Sequence, residues 1–421
     1  MSGEMKDSGI EWAGQVPASW TVTRGKFLFQ NHKDVVGARV EDFERLALTL
    51  NGVIKRSKDD NEGLQPAEFS SYQILKKNEL VFKLIDLQNI STSRVGLSPY
   101  TGIVSPAYIV LKAGKEIDPR YAEYYYLMMW MRAIFNQLGD AGVRSSLNAG
   151  ELLEISLPLP PLSEQHRIAD FLDSKCSQID EISKKIQEEI DTLEEYKKSV
   201  ITEAVTKGLD PNVEMKDSGI EWIGTIPAKW NIHPVFYYYG ERKNKNVGVK
   251  EQNLLSLSYG NIIRKDINTT GGLLPASFST YNIVEPEDII IRPTDLQNDK
   301  RSLRTGLVKE RGIITSAYID LMPVKDVNSE YFHYLLHTYD VMKVFYNMGN
   351  GVRQGLNYEE FGRLMVFEPD RLEQDAIVSY LNEMCDLINK SIETKKQQLS
   401  TLEEYKKSLI YEYVTGKKEV A

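Results

Sequence analysis

Two short stretches of this chain hold side chains suited to contacting DNA, and each stretch occurs twice. Asp86–Arg94 reads DLQNISTSR, and its copy Asp295–Arg304 reads DLQNDKRSLR. An amide such as Gln88, Asn89, Gln297 or Asn298 can pair bidentately with adenine, and a guanidinium such as Arg94, Arg301 or Arg304 with guanine. A solvated turn held by its own Asp and Asn side chains would use the same residue types. Both readings stand at this point. The second stretch is rich in glycine: Gly139-Asp140-Ala141-Gly142-Val143-Arg144, repeated as Gly349-Asn350-Gly351-Val352-Arg353. Glycines let backbone N–H groups approach a phosphate closely, and Arg144 and Arg353 supply charge. Gln354 and the amides Asn148 and Asn357 follow close behind and complete the candidate set. A helix ending in glycine, with an arginine that packs or caps, is the competing account.

Residues for covalent chemistry are missing from the sequence. No GxxxxGK[ST] is present to cradle ATP, and no GxSxG to present a serine nucleophile. His333 and His337 sit four apart on a helical stretch with no third ligand in view, so they read as ordinary helix residues. Pro369-Asp370 with Glu393-Thr394-Lys395 imitates a nuclease pattern, but it falls at the edge of and inside a long helix, where carboxylates do not converge. No Asn/Asp-Pro-Pro-aromatic motif of the amino-methyltransferase kind is found. The chain reads as non-catalytic, without a cofactor or metal of its own.

The net charge of −9 opposes nucleic-acid binding at first sight. Its distribution removes the objection. Residues 161–214 carry −6 and residues 369–421 carry −2, whereas residues 1–160 carry −1 and residues 215–368 are balanced. A neutral module can still present one basic face. No run of about 18 apolar residues suggests a membrane span, and the polar start MSGEMKDSGIEW lacks the apolar core of a signal peptide. Cys176 and Cys385 fall at equivalent helical positions and read as small core residues. The expected location is the cytoplasm.

The elements that must position the candidate residues are themselves written twice. Met5–Trp20 returns as Met215–Trp230, and Thr192–Ser199 (TLEEYKKS) as Thr401–Ser408. This divides the chain into 1–160, a first globular module; 161–214, a helical segment; 215–368, a second module; and 369–421, a second helical segment. Ile103–Leu111 and Ile313–Leu321 alternate like strands of a mixed or antiparallel sheet. Aromatic-rich helices are expected over 121–138 and 331–348, giving an α+β module. In the first helical segment Ile179, Ile182, Ile186, Leu193, Tyr196 and Val200 form a heptad-like stripe with one polar position at Glu189. Ile388, Ile392, Leu399, Leu402, Tyr405 and Leu409 form the second. At roughly 44 residues, or about 65 Å, each helix needs a partner for its stripe. A pseudo-twofold arrangement of two modules joined by an antiparallel coiled coil answers that need, and a coiled coil between chains is the alternative.

The motifs together resemble one family. KDSGIEW-x-G-x-x-P-x-x-W opens each module, Leu157-Pro158-Leu159-Pro160-Pro161-Leu162-Ser163-Glu164-Gln165 leads into the first long helix, and LEEYKKS recurs in both helices. This pattern, running over essentially the whole chain, resembles the specificity (S) subunits of Type I restriction-modification systems. The segment Phe367-Glu368-Pro369-Asp370-Arg371-Leu372-Glu373-Gln374 departs from it by lacking the double proline. The resemblance implies two target recognition domains that read the halves of a bipartite, gapped double-stranded DNA target. It implies helices that set the gap and dock two modification (M) subunits. S-adenosylmethionine would then belong to the M subunits, and ATP and Mg to restriction (R) subunits joining that core.

Overall fold

The computed structural model describes residues 4–50, 52–60, 68–87, 94–138, 146–268, 277–294, 296, 303–344, 348 and 355–420. The chain forms two compact units, Met1–Gln187 with Gln397–Ala421, and Glu188–Lys396. Each unit holds one α+β module and part of both long helices.

In the first unit, Met5–Asp7 and Gln15–Pro17 make a hairpin, and Thr21–Arg24 pairs with Ser156–Leu159. Two four-stranded sheets follow. One runs Gly52–Arg56, Arg45–Thr49, Gly102–Val104, Gln73–Leu75, and the other Phe29–Asn31, Ile109–Ala113, Leu80–Lys83, Arg94–Leu97. All pairings are antiparallel except the one between Ile103 and Arg45. The alternating run Ile103–Leu111 is thus two strands that serve different sheets, divided around Pro106, whose missing N–H cannot continue a ladder. Helix α1 (Pro119–Met131) begins with Asp118 accepting from the Arg120 N–H at 2.7 Å. The expected helix 121–138 is broken: Ala133 takes φ +54°, and α2 (Ile134–Leu138) starts afresh. Short helix α3 (Ala149–Glu154) precedes the last strand of the module.

Long helix α4 (Leu162–Lys207) then leads to the second module. In the second unit the opening hairpin recurs as Met215–Asp217 with Thr225–Pro227, and the strands of the first sheet recur as two pairs, Leu255–Ser258 with Asn261–Arg264 and Asn282–Val284 with Gly312–Ile314. The sheet Tyr239–Glu241, Ile319–Pro323, Ile289–Ile291, Thr305–Leu307 repeats the second sheet of the first module. Helix α5 (Ser329–Val341) is shorter than the expected 331–348 because Lys343 turns the chain at φ +61°. It is followed by α6 (Tyr358–Gly362) and long helix α7 (Arg371–Val414). Among the described residues, no helix is long and apolar enough to cross a membrane.

Within each unit the long helices run antiparallel. In the first, Phe171 meets the Tyr413 ring at 4.4 Å and Asp180 meets Lys406 at 2.6 Å, so one number rises as the other falls. In the second, Lys197 donates to Asn389 Oδ1 at 2.9 Å, and Glu189 pairs with Lys395. The seam on α4 steps by four and three through Leu172, Cys176, Ile179, Ser183, Ile186, Ile190, Leu193, Lys197 and Val200, all buried or half-buried. That corrects the sequence reading at four places. Ile182, Tyr196 and Tyr405 are 47%, 51% and 54% exposed, one residue off the seam. Ile190, not Glu189, fills the fourth-turn position, and Lys197 and Lys406 take the seam in place of the neighbouring tyrosines. Their aliphatic stems cover apolar surface while the ammonium groups reach polar partners across the seam. Ile179, Ile186, Leu193, Val200, Ile388, Ile392, Leu399, Leu402 and Leu409 are buried or half-buried. Cys176 and Cys385 are free and buried on their helices, and burial pushes the Cys176 thiol up to about 11.

One glutamine in each unit ties the start of a long helix to its module. Gln165 Oε1 accepts from the Asp118 N–H at 2.8 Å while its Nε2 donates to Pro160 O at 2.9 Å. Gln374 repeats both contacts, accepting from Asn328 N at 2.8 Å and donating to Pro369 O at 3.0 Å. The missing double proline therefore leaves the local path intact, because the single Pro369 supplies the carbonyl that matters. Ile190→Ala should cost about 2–4 kcal/mol in chemical unfolding, whereas Ile182→Ala should stay within about 0.5 kcal/mol. Equal effects would refute this seam.

The modules differ in one buried cluster. Arg242 donates to both Asp288 oxygens, at 2.7 and 3.0 Å, and stands 3.9 Å from Asp320, which is 1% exposed. Burial, reinforced by the nearby Asp288 charge, pushes the Asp320 carboxyl up to about 8. Val110 occupies the equivalent register position in the first module, since Val110 faces Val81 as Asp320 faces Ile290. A folded-state pKa above the unfolded one stabilises fully below the ordinary carboxyl range, fades as pH rises, and is lost above about 8. Asp320→Val should flatten the decline in stability between about pH 5 and 8; an unchanged slope in thermal unfolding would assign the decline elsewhere.

Candidate nucleic-acid interface

The residues that flank the two candidate stretches of the first module lie side by side. Leu87, fully buried, anchors the start of the first, and Leu147, 6% exposed, anchors the end of the second. Their stems are joined directly: Leu147 N donates to Leu84 O at 3.1 Å, and Ile85 bridges Ser146. The second module repeats this with Leu296 and Leu356 as buried anchors and Leu356 N donating to Pro293 O at 3.0 Å. Two stems separated by about fifty residues in sequence are thus joined in each module. Sequence spacing alone gave no sign of that juxtaposition.

The individual residues fall into four groups. Gln88, Asn89, Arg144, Gln297, Asn298, Arg301, Arg353 and Gln354 lie outside the described residues. Arg94 opens the strand Arg94–Leu97, its backbone opposite Lys83. Asn148 and Asn357 are helix caps. Asn148 Oδ1 accepts from Glu151 N at 3.1 Å while Glu151 Oε2 accepts from Asn148 N at 2.8 Å, and Asn357 forms the same reciprocal pair with Glu360 at 2.9 and 3.2 Å. Their side-chain oxygens are committed to starting α3 and α6, so capping explains these amides without a base.

Arg304 corrects the sequence reading. It is fully buried, and its guanidinium donates to the backbone carbonyls of Thr294 and Arg292, the latter at 3.5 Å. Its own N–H donates to the Asp340 carboxylate. This arginine closes the base of the stretch from inside rather than reading a groove. The sequence could not tell it from its neighbour Arg301, because both follow the same polar run.

Helices α1 and α5 carry buried titratable groups at equivalent positions. On α1, Glu123 accepts from Leu97 N at 2.7 Å, and burial pushes its carboxyl up to about 7. The equivalent residue on α5 is His333, whose Nε2 is sealed from solvent without a partner, and burial pushes it down to about 3. His337 is pushed down to about 4 by burial, and its Nδ1 lies 3.3 Å from Thr305 Oγ1. Both imidazoles are therefore uncharged at neutral pH, and among the described residues no three His, Cys, Asp or Glu side chains converge to hold a metal. Residues that extend from stems joined to a sheet in this way are suited to surface recognition.

Comparison with known proteins agrees with this class of molecule. Residues 50–192 match the family described as Type I restriction modification DNA specificity domain. A protein of Methanocaldococcus jannaschii assigned as the type I restriction enzyme MjaX specificity subunit is 26% identical over 96% of this chain and 95% of its own length. The MjaVIII specificity subunit of the same organism is 28% identical over 31% of this chain and 29% of its own. A solved chain from work on complex assembly and conformational transition of the type I R-M system shares the fold, with a TM-score of 0.69 at 12% identity, covering 95% of this chain and 98% of that one. The chain is thus similar, over the matched domain and along its length, to specificity subunits of Type I restriction-modification systems.

Arg304→Ala leaves buried carbonyls without their donor and should lower stability by about 1–3 kcal/mol in urea unfolding. Unchanged stability with a selective loss of DNA binding would return Arg304 to the recognition surface.

Proposed function

We propose that this chain is the sequence-reading subunit of a Type I restriction-modification complex. Each module reads one half of a bipartite double-stranded DNA target, and the long helices set the unread gap between the halves. The observation that carries this reading is the paired stems, Leu84 with Leu147 and Pro293 with Leu356, from which two polar, arginine-bearing stretches continue in the sequence of each module. One chain with two such paired stems fits a target with two half-sites. Of the candidate contacts, Arg144 and Arg353 suit phosphate, and Gln88, Asn89, Arg94, Gln297, Asn298, Arg301 and Gln354 suit base edges. Phosphate contacts position the duplex, and base contacts give it its register.

The chemistry belongs to partners in this reading. Two M subunits, docked on the helices, would bind S-adenosylmethionine and methylate adenine, and R subunits would use ATP and Mg for translocation and cleavage. The exposed Ile182, Tyr196 and Tyr405, one step off the seam, offer apolar surface on the helices for such docking. This chain would contribute recognition and spacing, with no bond made or broken on its own side chains.

A base-resolved map of adenine methylation in the host, with and without this gene, tests the proposal. Loss of one gapped, two-part motif is the expected result. Retention of every methylated motif, in a host where an M subunit co-purifies with the chain, would overturn it.

A further inference from the structure

Resting on that reading, we propose a third recognition element: the tip of the hairpin formed by Leu255–Ser258 and Asn261–Arg264, where Tyr259 contacts base edges of the second half-site. Leu50, at the tip of the hairpin Arg45–Thr49 and Gly52–Arg56, takes the same place in the first module. Tyr259 is 79% exposed and Leu50 66%. Tyr259 also holds φ +46° and Gly260 φ +80°, the pair of positive values that a tight two-residue hairpin turn requires. Asn, Asp or Gly suits the first of these positions, and a tyrosine there is sterically disfavoured. The turn thus keeps a large ring in solvent at a position where folding alone favours a small polar residue.

The hairpin lies against the strand that leaves the DLQN stretch. A Cβ on Gly306 would fall 2.6 Å from Leu257 Cδ1 and 2.9 Å from Ile262 Cδ1, and one on Gly96 would fall 2.9 Å from Leu48 Cδ1. Glycine at both positions lets the hairpin seat directly on that strand. At the tip itself, a Cβ on Gly260 would lie 3.2 Å from Leu303 Cδ1, one of the first described residues after the candidate stretch. In the second module the tip therefore meets Leu303, and in the first the hairpin seats on the corresponding strand.

Charge points to bases rather than phosphates as the target. Arg264 donates to Glu310 at 2.6 Å, Lys55 pairs with Glu44 at 2.5 Å, and Arg56 pairs with Asp60 at 2.5 Å. These hairpin cations are committed to carboxylates, and the tips offer an aromatic ring with a hydroxyl in one module and an aliphatic chain in the other. Such groups suit a thymine methyl or the apolar floor of a groove. Because Tyr259 and Leu50 differ, each tip would favour a different half-site.

Tyr259→Asn separates recognition from folding, since asparagine fits the turn better and should hold or raise the melting temperature. The chain is expressed with its M subunit in a host lacking other adenine methylation, and the methylated motif is read genome-wide. Tyr259→Asn should broaden one half of the motif, with about a tenfold loss of discrimination at one or more positions. Leu50→Ala should broaden the other half. A motif unchanged by both substitutions would overturn this inference alone. No methylated motif with the wild-type chain would overturn the underlying reading and the inference with it.

Discussion

The antiparallel seam between the two long helices is the constraint on which everything else rests. Neither module closes its core from its own residues. Leu409, Ile410 and Val414, near the end of the sequence, pack with Trp20, Tyr121 and Leu157 in the first unit; Val200, Ile201, Ala204 and Val205 pack with Trp230, Tyr331 and Phe367 in the second. Buried hydroxyls fix the fit: Tyr121 donates to Val414 O at 3.1 Å, and Tyr331 to Val205 O at 3.3 Å. Each end also holds an opening hairpin, with Lys417 Nζ donating to Ala13 O at 2.8 Å and Lys207 Nζ to Thr225 O. The heptad pattern therefore does more than pair two helices, because it delivers the residues that complete each core.

How much of this was legible in the sequence depends on the kind of signal each residue carries. The repeat announced two α+β modules and two helices without ambiguity. The stripe was legible as a stripe, yet its phase slipped at Ile182, Tyr196 and Tyr405, because hydrophobicity favoured a tyrosine over the adjacent lysine. Lys197 and Lys406 hold the seam through their aliphatic stems, a role that residue type conceals. The helix breaks at Ala133 and Lys343 were invisible, since neither residue announces a left-handed turn. Gln165 and Gln374 stood inside the motifs that carried the resemblance, but their bracketing role needs the positions of Asp118 and Asn328, more than forty residues away.

The candidate interface was legible as two repeated polar stretches, but the joining of their stems was not, for it depends on single backbone hydrogen bonds. Residue type also misassigned Arg304, which the fold turns inward, and passed over Tyr259, whose significance lies in exposure and backbone angle. The two copies share what holds them together: buried leucine anchors, capping asparagines and glycine under the hairpin. They differ at Leu50 and Tyr259, at Glu123 and His333, and at Val110 and Asp320. A shared framework with divergent residues fits the proposed reading of two unlike half-sites.

The central claim is that the helices set the distance between two independently read half-sites. One heptad inserted into α4 after Gln187, with another into α7 after Lys396, preserves the four-and-three spacing on both sides while adding about 10 Å of helix. The methylated motif of that variant, read genome-wide with its M subunit, is the direct measurement. Both half-sites kept and the gap widened by about three base pairs is the predicted result, at roughly 3.4 Å per pair. Both half-sites kept with the gap unchanged would contradict the account.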